Sequence, residues 1–184
     1  MKYLALLSVI GCTFLGVAFF ASTSTHANDR MPLSEEQRRQ IVVKCTSIKA
    51  SLRQLHRSDA SLRVNRGQLY EFIGTKLMAR LNGRIVANRL DGGDLVASAA
   101  RYDTALVNFR TVYQNYEEGL SATLRIDCVQ QPEDFYYSVA DIRKRRLEVY
   151  QRVTDINRYI DEYYEAFGQF SEDFRLAVKG VMGE

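Results

Sequence analysis

From Phe135 to Phe174 the chain repeats an apolar residue at alternating steps of four and three. The series runs Phe135, Val139, Ile142, Arg146, Val149, Val153, Ile156, Ile160, Tyr163, Phe167, Phe170 and Phe174, and only Arg146 is polar in it. Alternating steps of that kind keep one stripe on one face of an α-helix and make a heptad seam. No strand can use the pattern, because a strand changes face at every residue. Pro132 suits the first helical position, and Glu133 and Asp134 complement the positive end of the helix dipole.

Two further segments carry the same period. Leu95, Ala99, Tyr102, Leu106, Phe109, Tyr113, Tyr116, Leu120 and Thr123 form one seam. It follows the break Asp91-Gly92-Gly93, and Asp94 is its expected cap. The first seam opens at Ser34-Glu35-Glu36-Gln37, which reads as a capping box. It runs through Ile41, Cys45, Ile48, Leu52, Leu55, Asp59, Leu62, Arg66, Leu69 and Ile73, then stutters to Leu77, Leu81 and Ile85. Period-two alternation is sustained nowhere. The expected fold is all-α: an elongated antiparallel bundle with coiled-coil-like seams. It has three long helices, or four if the first breaks near 57–67. The domain is placed at 34–174, after a short linker at 28–33 and before a tail at 175–184 whose two glycines favour fraying.

The N-terminus has the layout of a secretory signal peptide. Lys2 precedes an apolar run from Leu4 to Phe20, and Thr25-His26-Ala27 offers a small-residue exit. Read this way, residues 1–27 are a signal, or an uncleaved anchor, and residues 28–184 are exported to a secreted, periplasmic or cell-surface location. Val9 to Cys12 has the outline of a lipobox. The apolar core before it is too short and the residues after it too apolar, so Cys12 belongs to the apolar core of the signal. Lys2 is the one charged side chain removed with the signal, so the formal charge falls from +3 to +2. That is too weak a charge to indicate a nucleic-acid partner.

Chemistry is sparse. His56 is the only histidine after Ala27, and it lies on a helix with no strained turn beside it, so it reads as solvated or helix-terminal. There is no metal-ligand spacing and no phosphate-binding glycine loop, so no cofactor, metal or catalytic site is expected. Arg143, Lys144 and Arg145 lie off the seam and form a candidate basic patch for an anionic envelope polymer, a lipid surface or an acidic partner. Arg66 and Arg146 lie in the seams. With hairpins centred at Gly92–Gly93 and Gln130–Gln131, they are expected to meet Glu117 or Glu118 in a structural polar layer. Tyr102, Tyr113, Tyr116 and Tyr163 are core candidates, while Tyr136, Tyr137 and Tyr164 lie partly off the seam, where aromatics suit a protein-binding face.

Cys45 and Cys128 remain after signal removal, an even count that favours a disulfide in an oxidising compartment. A hairpin centred at Gly92–Gly93 puts Cys128 level with residue 57, about 18 Å from Cys45 at 1.5 Å per residue. The bond therefore predicts a break in the first helix near 57–67. The functional expectation is a non-enzymatic helical interaction or structural protein of the envelope or surface, working on a protein partner or on itself. The alternative is a soluble or singly anchored ligand-binding bundle with a cavity between helices.

Overall fold

The structure, a computed structural model, describes residues 31–182. The signal or anchor assigned to 1–27 lies outside the described residues. Residues Pro32–Glu184 form one compact unit. Its elements are α1 (Glu35–Phe72), a π-helical segment (Ile73–Met78), α2 (Ala79–Ala87), α3 (Gly93–Arg125) and α4 (Pro132–Met182). The fold is all-α with three long helical runs, the first being α1, the π segment and α2 end to end.

The helix starts follow local chemistry. Ser34 Oγ accepts from the Gln37 N–H at 3.2 Å while Gln37 Oε1 accepts from the Ser34 N–H at 2.8 Å, which is the expected capping box. Leu33, assigned to the linker, is instead buried, and its N–H donates to Glu133 at 3.2 Å, tying the start of α1 to that of α4. α4 begins at Pro132. It runs on to Met182, through residues expected to fray. Asp94 does not cap α3: the helix starts at Gly93, and Asp91 accepts the Gly93 N–H at 3.4 Å.

The first hairpin turns earlier than the glycines suggest. The Leu90 N–H bonds Ile85 O and the Arg89 N–H bonds Val86 O, with Arg89 at φ 55°. This is a Schellman ending built on a left-handed residue. Gly92 then passes so close to Ile85 that a Cβ would sit 2.5 Å from its Cγ2, so only glycine fits there. As a result α1–α2 and α3 pair about a centre near residues 87–88. Asn82 meets Leu95, Asp59 meets Tyr116, and Cys45 meets Cys128. Moving the centre of an antiparallel hairpin by five residues moves every partner by ten, about 15 Å. That shift closes most of the gap between the two cysteines. The disulfide forms with Cα atoms 5.7 Å apart, and α1 is unbroken through 57–67. The expected break there is thus corrected.

The second hairpin keeps the expected register. Thr123 bonds Ser138, a Cβ on Gly119 would touch Ile142, and the Asn115 carbonyl accepts from Arg145 at 3.0 Å. The core lies along α3 and α4 and is rich in tyrosine. Tyr102, Tyr116, Phe135, Leu95, Leu120 and Ile156 are its largest fully buried side chains. α1 contributes little: Tyr70 is its only buried residue. Beyond Asp59 its expected seam residues Leu62 and Leu69 face solvent, and burial passes to Tyr70, Gly74 and Met78.

Candidate interaction surface

The π segment has an identifiable local cause. The Tyr102 hydroxyl donates to the Tyr70 carbonyl at 2.7 Å, and its ring lies over Gly74, where a Cβ would stand 3.1 Å from Cε1. A side chain inserted into the i→i−4 ladder loosens it by a residue, and such π turns recur at functional positions. The stutter after Ile73 was the sequence trace of this turn.

The π segment and α2 form one bank of an apolar groove of about 360 Å³, and α4 forms the other. Ile73, Leu77 and Leu81 face Ile160, Tyr164 and Phe167, over a floor of Met78 and Tyr163. The floor's polar atoms are satisfied, since the Tyr163 hydroxyl donates to Asn82 Oδ1 at 3.0 Å. Burial pushes the Tyr163 phenol up from its ordinary value. Leu77 is 52% exposed and Tyr164 75% exposed. Lys76, Arg80 and Arg84 follow each other at four-residue steps along the α2 bank and form no ion pair among the described residues.

The α4 seam continues past this groove. By the pairing of α3 with α4, the start of α3 is level with about residue 168, and by that of Met78 with Tyr163 the end of α2 is level with about residue 172, so 173–182 form an overhang of about 15 Å. Phe170 stacks on Phe174 at its start, with centroids 6.3 Å apart, and Phe174 is 47% exposed. Phe170 still packs against the core, so the seam outruns its neighbours only from Phe174.

The expected polar layer takes a different form. Arg146 reaches Asp59 with two nitrogens, at 2.9 and 3.1 Å, and the Tyr116 hydroxyl donates to the same carboxylate at 2.7 Å. Burial by itself would raise the Asp59 pKa. The hydrogen bonds from Arg146 and Tyr116, with the Arg146 charge, outweigh that and hold it below its ordinary value. Arg66 is exposed and outside the layer. Glu117 lies 3.8 Å from His56, and Glu118 accepts from Gln114 at 2.8 Å. The ten-residue register shift is the reason: it brings Asp59, not Arg66, to the level of Arg146. His56 is half-buried in mid-helix rather than solvated or terminal.

The basic patch is also divided. Arg143 and Lys144 are exposed, but Arg145 is held by Asp141 at 2.8 Å and by the Asn115 carbonyl, against Gly119. Tyr136 is exposed and meets the half-buried Tyr137 ring edge-on, away from the groove. A second, polar groove of about 290 Å³ lies between α3 and α4; the ion pair Arg101–Glu162 joins the two helices beside it, while Arg152–Asp155 lies within α4. Among the described residues no group of three His, Cys, Asp or Glu could hold a metal ion, and no helix is long and apolar enough to cross a membrane.

No protein-family model matches the chain, and neither a curated protein nor a solved structure matches it.

Proposed function

We propose that this chain is an exported, non-enzymatic helical interaction protein of the envelope or cell surface. It works through the helix faces at the α2–α4 end of the bundle. The observation that carries the reading is the apolar groove of Leu77, Tyr164 and Phe167, continued along α4 by the exposed Phe174. Contiguous exposed apolar surface rimmed by charge is the mark of a protein contact. The Cys45–Cys128 bond supports an oxidising compartment, in keeping with the signal-like N-terminus. The ligand-carrier alternative has less support, because tyrosines pack the interior among the described residues and the two cavities described are open grooves.

The test is a photo-crosslinking amino acid placed at Tyr164 in cells that export the protein. The expected result is a discrete protein adduct. No adduct from Tyr164, with efficient adducts from Arg143 or Tyr136, would move the contact elsewhere and sink this reading.

A further inference from the structure

We infer that the outer side of the first helical run, α1 through α2, is a binding face for an anionic lipid surface, on which the bundle lies flat without entering the bilayer. The inference goes beyond the protein contact above, which uses the groove between α2 and α4. It starts from charge. Residues 37–90 carry 12 Lys or Arg against two carboxylates, while 91–184 carry 11 against 17. Both carboxylates of the first run are engaged by its neighbours. Asp59 holds Arg146 of α4 and Tyr116 of α3, and Glu71 pairs with Arg110 of α3. Arg53, Arg57, Lys76, Arg80 and Arg84 are exposed, and none of them forms an ion pair among the described residues. A merely solvated helix mixes its signs, as α4 does with Arg145–Asp141 and Arg158–Glu162. On the first run Arg53 and Arg57, and then Lys76, Arg80 and Arg84, stand four residues apart with like charge. Such rows repel themselves until an outside anion compensates them.

Placement favours a bilayer over a linear polyanion. Arg57, Phe72 and Arg80 each lie two residues from an inward-facing one, respectively Asp59, Tyr70 and Met78. Two residues are rather more than half a helical turn, so all three point away from the bundle. From Arg53 to Arg84 the row spans about 45 Å of helix, and a plane meets the whole of it at once. Phe72, 52% exposed, stands between the two cationic groups. An aromatic ring among cations suits the headgroup boundary, where it is buried while they meet phosphates. A hydrated polymer offers that ring no burial. The acid-rich α3–α4 side turns away from such a surface, so the charge asymmetry also orients the bundle.

The experiment is co-sedimentation of the exported, oxidised protein with vesicles of phosphatidylglycerol and phosphatidylcholine in equal parts, compared with phosphatidylcholine alone. Preferential binding to the anionic vesicles is expected, weakening as salt rises. Arg80→Gln/Arg84→Gln should weaken it about thirtyfold, while Arg143→Gln/Lys144→Gln, which removes the same charge from the rival α4 patch, should change it less than about twofold. Phe72→Ser should weaken it about tenfold with unchanged helicity. No preference for the anionic vesicles overturns the inference. Equal losses from the two charge pairs overturn the face, because net charge would then be enough. Indifference to Phe72→Ser overturns the bilayer in favour of a soluble polyanion. The Tyr164 crosslinking reads the groove separately, so failure of either reading leaves the other standing.

Discussion

The hydroxyl of Tyr102 donates to the main-chain carbonyl of Tyr70, 2.7 Å away, at the point where α1 passes into the π segment. This one bond couples a residue of the α3 core to the helical ladder that shapes the groove. Tyr102→Phe removes the donor and leaves the ring. The expected cost is about 1 kcal/mol, typical of a net hydrogen bond. A larger consequence is expected locally: amide exchange in 73–78 should slow if the ladder returns to α-helical spacing. Unchanged exchange there would show that the π turn does not depend on the hydroxyl.

Two glycines of the first helical run should respond with opposite signs. Gly67 has open space where a Cβ would go, so Gly67→Ala should stabilise by roughly 0.5–1 kcal/mol through helix propensity. Gly74 faces the buried Tyr102 ring, with a Cβ contact at 3.1 Å. The ring has no room to retreat, and overpacking of this kind costs about 1–3 kcal/mol, so Gly74→Ala should destabilise. Chemical denaturation of the two variants decides it, and stabilisation by both would contradict the packing described.

The N-terminal half of α1 has little core of its own, since no residue from Glu35 to Leu69 is fully buried. It is held by the Cys45–Cys128 bond, by Leu33 and Arg38 at Glu133, and by the Asp59 cluster. Reduction, or Cys45→Ser with Cys128→Ser, should cost about 2–4 kcal/mol. Hydrogen exchange should rise first in 35–58, while α3 and α4 stay protected. Uniform loss of protection across all helices would show that α1 folds as one unit with the α3–α4 core.

The helices, their apolar seams on α3 and α4, the capping box and the disulfide partners were legible because each depends on local spacing or on counting. The register of the first hairpin was not. It turns on Arg89 adopting a left-handed conformation, which glycine ordinarily supplies, while the adjacent Gly92–Gly93 drew the turn toward themselves. That one displacement hid the partnership of Asp59 with Arg146, although Asp59 stood out as a charge in an apolar seam. The groove was half legible. The stutter after Ile73 marked its position, but only three-dimensional pairing shows that α4 outruns α3 and leaves Phe174 uncovered.

Asp59 gives the bundle an acid-sensitive clasp. Its folded pKa lies below the ordinary 3.8, so between the folded and unfolded values the unfolded chain holds the extra proton. Stability from this group is complete above the unfolded value and is lost as pH falls through the folded one. Arg146 is half exposed, which screens the pair, but Tyr116 is buried and would lose its acceptor. Asp59→Ala should therefore cost about 1–3 kcal/mol near neutral pH. Urea unfolding at pH 7, 5 and 3 should show the wild-type advantage over Asp59→Ala shrinking at the lowest pH. Arg146→Lys should keep part of that advantage, because it retains the charge but not the paired hydrogen bonds. An advantage that stays constant down to pH 3 would mean that the Asp59 carboxylate is not what Arg146 and Tyr116 hold.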